Sequence, residues 1–195
     1  MPENRLILAS TSPYRAEILS KLQLPFETMA PETDETELAK ETAPELVVRL
    51  AKLKAEALTH IENGLIIGSD QVCVIDGKII GKPLTREKAI EQLLSQSGKT
   101  IRFYTGLALH NTTTGITETR LDTFDVTFRT LSNDQIEAYV DIEQPYYCAG
   151  SFKSEGLGIA LFSDLAGKDP NTLIGLPLID LIELLEQQGI SPLTK

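Results

Sequence analysis

Leu6-Ile7-Leu8-Ala9-Ser10-Thr11-Ser12-Pro13-Tyr14-Arg15 places a strand, its end and the start of a helix within ten residues. Four apolar residues in a row suit a strand covered on both faces. The run stops at hydroxyl side chains, of which Ser12 is a good N-cap, and Pro13 fits the first helical position. The helix is expected to continue to about Leu22, with Ile18, Leu19 and Leu22 on one face. Residues 25–29 read as a second strand. A strand–helix–strand opening of this kind points to an α/β fold.

The pattern continues along the chain. Thr42-Ala43-Pro44-Glu45 has the spacing of a capping box, and the apolar stripe Leu46, Val47, Leu50, Leu53, Ala57, Leu58 and Ile61 predicts a helix to about Ile61. Leu65-Ile66-Ile67 reads as a buried strand leading into the polar loop Gly68-Ser69-Asp70-Gln71. Residues 72–75 and 78–80 flank Asp76-Gly77, a hairpin signal. Helices are expected over 85–96, 132–141 and 178–187, and two long antiparallel strands over 102–110 and 116–129. Hairpins beside strand–helix–strand units imply a mixed sheet.

The chain has 195 residues, with 18 Lys and Arg against 28 Asp and Glu, a formal net charge of −10. Its length suits one domain, or one split into two lobes. The acidic balance excludes a nucleic-acid polymer or an anionic membrane surface as partner. It does not exclude a small polyanion, because residues 49–102 carry nine basic against six acidic side chains. Cys73 and Cys148 stand apart with no CxxC, so a reducing compartment is expected. Cys73 reads as a core thiol rather than a nucleophile. No leader-like or membrane-spanning apolar run is seen, and a cytoplasmic location is expected.

Four segments can carry chemistry, each with a plainer alternative. Ser10 to Arg15 forms a helix N-terminus, where free N–H groups and a guanidinium suit a phosphate; otherwise Ser12 is an N-cap beside a surface Arg. Glu32, Asp34, Glu35 and Glu37 can offer oxygen ligands to a divalent cation, or form a solvated acidic loop. Asp70, following a buried strand, suits a general base or metal ligand, or else caps a turn or pairs with a Lys. Lys54, Lys82 and Lys153 suit phosphate oxygens, or are surface lysines. There is no P-loop, no GxGxxG after a strand, no HExxH or Cys/His cluster, and no GxSxG.

Taken together, Leu6 through Arg15, Asp34-Glu35, Arg49-Leu50-Ala51 with Lys54-Ala55, Gly68-Ser69-Asp70-Gln71, Gly81-Lys82-Pro83 and Ala149-Gly150-Ser151-Phe152 resemble the Maf family of nucleoside triphosphate pyrophosphatases. The resemblance runs from about residue 5 to 190. Tyr14 after Ser-Pro, Gln71 after Asp70, and Glu155 resemble the specificity set of the branch that hydrolyses 7-methyl-GTP. That base carries a delocalised positive charge, which an aromatic face attracts and an Arg would repel.

The resemblance implies a single 1–195 domain: an elongated mixed sheet flanked by helices, in two lobes around a deep cleft, similar to the inosine triphosphatase fold. It implies cleavage of the α–β phosphoanhydride of a modified guanosine triphosphate in that cleft. Asp70 would be the proton acceptor, with Glu35 and Asp70 holding a divalent cation, Mg²⁺ or Mn²⁺. Ser10, Arg15, Lys54 and Lys82 would grip the triphosphate, and Tyr14, Gln71 and Glu155 would select the base. A homodimer is implied as well. Two other classes share these residues: a nucleotide-binding regulator of cell division with little turnover, and a nucleotidyl transferase. Retention of both carboxylates beside the basic groups favours hydrolysis over mere binding.

Overall fold

In the computed structural model, which describes residues 5–193, strand β1 (Arg5–Ala9) is buried from Leu6 onward. Helix α1 (Pro13–Ser20) begins as its sequence predicts. Ser12 is extended and its Oγ accepts the Arg15 N–H, with Pro13 in the first turn. Strand β2 (Glu27–Met29) starts two residues later than expected, since Pro25 has no N–H for a ladder. The reading of the first four residues lies outside the described range.

Helix α2 (Ala43–Glu56) carries the expected capping box between Thr42 and Glu45. It ends five residues before Ile61. Leu58 and Ile61 keep their apolar contacts in a turn closed by Ile61 N–H to the Leu58 carbonyl; a three-residue spacing serves a turn as well as a helix.

Strand β3 (Gly64–Ile75) is the main departure from expectation. The polar tetrad 68–71, read as a loop, lies inside one continuous strand. Hairpin strand β4 (Lys78–Ile80) follows, then α3 (Arg86–Gln96), β5 (Thr100–Asn111), β6 (Ile116–Phe128) and α4 (Asn133–Glu143). Two short 3₁₀ turns (Ala149–Ser151 and Leu157–Leu161), β7 (Phe162–Gly167), α5 (Pro170–Ile174) and α6 (Leu178–Gln187) complete the described chain. β7 and α5 escape a reading by pattern: β7 is exposed after its first residue, and α5 is barely more than one turn. Among the described residues no helix is long and apolar enough to cross a membrane.

The strands form a mixed sheet of order β2-β1-β3-β5-β6-β7, with β4 beside β3. β1 runs parallel to both β2 and β3, whereas β3–β4 and β6–β7 are antiparallel. This bears out the expected α/β class with a mixed sheet.

The chain divides into two compact units. Among the described residues, the first comprises 5–71, Thr105–Asp122 and 169–193. Here strand alternation sorts the core. Leu6, Leu8, Leu65 and Ile67 meet Ile18, Leu19 and the leucines of α6 on one face. Ile7, Ala9 and Ile66 meet Ala51, Ala55 and Leu58 on the other. So α1 and α2 cover opposite faces, and the chain leaves β1 toward β2 and returns past it to β3. The carboxyl end of β1 is therefore a switch point, where α/β sheets open a crevice.

Helix α2 lies very close to its face. A Cβ on Gly68 would sit 2.0 Å from the Ala51 carbonyl oxygen, and one on Gly106 2.1 Å from that of Val47. Both clashes are with backbone, which cannot swing aside. Gly68→Ala is expected to cost at least about 3 kcal/mol, read as a lower urea midpoint.

The second unit comprises Val72–Tyr104 and Thr123–Lys168. Its core is a set of edge-to-face aromatic contacts among Phe103, Phe128, Phe152 and Phe162, with centroids 4.8–5.7 Å apart. Cys73 is fully buried here, and burial pushes its thiol up to about 12. That is the inert core thiol expected from its sequence context.

Candidate functional site

The candidate site gathers at the carboxyl end of β1. Ser10, almost buried, accepts the Ser12 N–H on its Oγ at 3.1 Å. The first turn of α1 then presents Tyr14 and Arg15. Tyr14 is 39% exposed. Arg15 turns inward and its Nε donates to the Gly175 carbonyl at 2.9 Å. Loss of hydration pulls its guanidinium below the ordinary value, while the charges of Asp70 and Glu35 act in the opposite direction.

Lys54 is the centre of the acidic part. It lies in the last turn of α2, where a cation complements the helix dipole. The glycine seats under α2 bring it down onto β3. Its Nζ donates to Asp70 Oδ1 at 2.7 Å and lies 3.2 Å from Glu35 Oε1. The Lys54 and Asp70 side chains are only 8% and 11% exposed, against 53% for Glu35. Two carboxylates thus share one ammonium.

Glu35 owes its position to its neighbours. Asp34 Oδ1 accepts both the N–H and the hydroxyl of Thr36, at 3.0 and 2.6 Å, which holds the Asp34 carboxyl below its usual range. Arg49 reaches from α2 to the Thr36 carbonyl at 3.0 Å and to both carboxylate oxygens of Glu41. The charge-assisted bond to Arg49 draws Glu41 below its usual range and raises Arg49. The acidic loop is therefore tied to α2 through Arg49 just after Glu35, and the Asp34–Thr36 bonds close a turn across Glu35. Of its four carboxylates, Glu35 is the one that meets Lys54.

The donor chemistry fits a hard divalent cation. Both carboxylates supply oxygen, and their shared contact with Lys54 keeps them within the sum of those two distances of each other. Among the described residues no three His, Cys, Asp or Glu side chains form a ready-made cage. Two carboxylates without a cage suit a divalent cation whose remaining ligands come from outside the chain.

Gln71 sits differently. Alternation along β3 puts Gly68 and Asp70 on the α2 face, and Ser69 and Gln71 on the face of α5. Gln71 Nε2 donates to Thr105 Oγ1 at 2.9 Å and to the Thr172 and Leu173 carbonyls at 2.7 and 3.3 Å. Ser69 Oγ, fully buried, lies between the carbonyls of Gly106 and Gly175, at 2.9 and 2.8 Å. Thr172 in turn donates to Asp122 Oδ2 at 2.5 Å. Thr105, Thr172 and Gly175 lie outside the motifs read from the sequence, and Ser69 appears there only as a member of its tetrad, without a role. The period of two along β3 is the signal that separates Ser69 and Gln71 from Asp70.

Lys82 and Glu155 belong to the second unit, and both are exposed. Lys153 is committed within that unit: its Nζ donates to the Glu143 carbonyl at 2.6 Å and lies 3.7 Å from the Glu143 carboxylate. Its backbone N–H donates to Tyr139 Oη, and Leu157 N–H donates to Glu143 Oε1. Lys153 thus braces the loop that carries Glu155, rather than standing free for phosphate.

The sequence profile described as Maf-like protein matches residues 5–188. A protein of Vibrio parahaemolyticus named 7-methyl-GTP pyrophosphatase is 60% identical over 189 residues, covering 97% of this chain and 98% of that one. One of the same name from Vibrio cholerae is 61% identical, covering 98% and 99%. Among solved structures, the Staphylococcus aureus Ham1 protein aligns with a TM-score of 0.53 at 16% identity, over 96% of this chain and 100% of that one. The shared fold agrees with the expected architecture. With its profile matched over nearly its whole length and its relatives close to 60% identical, the chain belongs to the Maf family.

Proposed function

We propose that this protein hydrolyses 7-methyl-GTP to 7-methyl-GMP and pyrophosphate, clearing modified nucleotides from the cytoplasmic pool. The observation that carries the reading is the pair Asp70 and Glu35 on buried Lys54, beside Arg15, at the switch point of the sheet. The close relatives bear the name of that activity.

Asp70 accepts a proton from a water molecule. The water oxygen bonds to the α-phosphorus, and the bond from that phosphorus to the α–β bridging oxygen breaks. Pyrophosphate leaves with the electron pair. Lys54 holds Asp70 in place through the 2.7 Å bond to Oδ1. Arg15 and Lys54 balance phosphate charge and Ser10 offers its hydroxyl; the resemblance adds Lys82 to the grip. Mg²⁺ or Mn²⁺, held by Glu35 and Asp70, would supply further neutralisation of the phosphate oxygens. A regulator without turnover needs the cations but gains nothing from two carboxylates beside a triphosphate, so the hydrolytic reading is preferred. The family resemblance extends to a homodimer.

Base choice is assigned to Tyr14 and Glu155, as the resemblance implies. The exposed Tyr14 ring offers its face to the cationic 7-methylguanine, a contact of about 0.5–2 kcal/mol. The Glu155 carboxylate can accept N–H bonds from the guanine edge and complement its charge. Tyr14→Arg is expected to lower kcat/KM for 7-methyl-GTP about tenfold relative to dTTP; an unchanged ratio sinks the role of Tyr14.

The decisive experiment is a panel of unmodified and modified nucleoside triphosphates, with and without divalent cation, assayed for monophosphate and pyrophosphate. Highest kcat/KM for 7-methyl-GTP, with pyrophosphate as co-product, is expected. Release of orthophosphate, or binding without turnover, overturns the reading.

A further inference from the structure

Four side chains converge on three carbonyls at the end of α5. Gln71 Nε2 donates to Thr172 and Leu173. Thr105 Oγ1 donates to Thr172 at 3.3 Å. Ser69 Oγ and Arg15 Nε both donate to Gly175. They lie where a helix runs out of intrahelical donors for its carbonyls; that of Thr172 also accepts the Gly175 N–H at 3.0 Å. The opposite end of the segment is fixed by Asp169, which accepts the N–H groups of Asn171 and Ile179, both at 2.8 Å.

We propose that residues 172–175 couple Gln71 to Arg15, so that Gln71 is a positioning residue for the phosphate grip rather than a reader of the base. This rests on Arg15 being a phosphate ligand, as proposed above. Three observations support it. Gln71 lies on the face of β3 opposite Asp70. Its amide orientation is forced, because carbonyl oxygens only accept, and both Nε2 protons are directed to protein acceptors. And the far end of the segment fits tightly against Arg15: Gly175 has φ +119°, and a Cβ there would lie 3.2 Å from Arg15 Nε. A shift of the segment is thus passed directly to the guanidinium, whose Nε is already taken by Gly175 and whose terminal nitrogens remain to face phosphate.

Inorganic tripolyphosphate, which has no base, separates the two roles. It is used as a competitive inhibitor of whichever nucleotide the wild-type enzyme hydrolyses. Gln71→Leu is expected to raise its Ki about tenfold, and to lower kcat/KM for 7-methyl-GTP and GTP by the same factor. In an Arg15→Ala background the same substitution is expected to change Ki less than about twofold, since the coupled partner is gone. Should Gln71→Leu fail to melt cooperatively, Thr105→Val removes one donor from the cluster and is expected to raise Ki about threefold. An unchanged Ki with a changed 7-methyl-GTP to GTP ratio overturns the proposal and makes Gln71 a base reader. Additive effects of Gln71→Leu and Arg15→Ala overturn it too. If the wild type ignores 7-methyl-GTP, the substrate reading fails while the tripolyphosphate result still decides the coupling.

Discussion

Asp70→Asn is expected to reduce kcat for pyrophosphate release by about 10²–10⁴, the contribution of a positioned general base. Asn keeps the shape of the side chain, and its carbonyl oxygen still accepts from Lys54 Nζ in place of Oδ1. What it loses is the capacity to take a proton from water and one of the two anionic ligands for a cation. Stability is expected to fall far less than activity. The check is single-turnover release of pyrophosphate at saturating substrate, alongside thermal unfolding of the same preparation. Turnover within twofold of wild type would remove Asp70 from the chemistry.

Lys54→Ala is expected to damage both stability and activity. The ammonium sits between Asp70 and Glu35 with 8% of its side chain exposed. Its removal leaves the Asp70 carboxylate buried without its partner, which costs about 3–5 kcal/mol. For a chain of this size that is a fall in Tm of roughly 10 °C. The control is Lys52→Ala on the same helix. Lys52 lies 3.8 Å from Glu56 with both side chains well exposed, and such a pair is worth about 0–1 kcal/mol. Equal effects at positions 52 and 54 would mean that burial of the Lys54–Asp70 pair has no energetic weight.

Much of the fold could be read from residue pattern because local signals agreed with it. Ser12-Pro13 and Thr42 to Glu45 start helices where expected, and Asp76-Gly77 turns a hairpin. What resisted reading depended on partners distant in sequence. Gly68-Ser69-Asp70-Gln71 looks like a loop because strands seldom bury Ser, Asp and Gln together. It remains a strand because Lys54 accompanies Asp70, and because carbonyls from 106 and 172–175 receive Ser69 and Gln71. None of those partners is adjacent in sequence. The same holds for Lys153. A basic residue in a polar loop reads as a phosphate ligand until Glu143, ten residues earlier, is seen to hold it. Conversely Ser10, Arg15, Glu35, Lys54 and Asp70 can be named from charge pattern and resemblance alone, and the last three meet in one contact group.

The continuity of β3 also limits how this gene can change length. Gly64, Leu65, Ile66 and Ile67 are counted against Arg5, Leu6, Ile7 and Leu8 of β1, and Gly68 to Gln71 continue the same strand. One codon added or removed in that interval would turn all later side chains to the other face. Asp70 would then point at α5, Gln71 at Lys54, and the seat of α2 would receive a side chain in place of Gly68. An indel at the 76–77 turn carries no such penalty for the site. The strand thus behaves as a ruler, and insertions and deletions within it are expected to be lost from any library selected for activity, even where each single substitution survives.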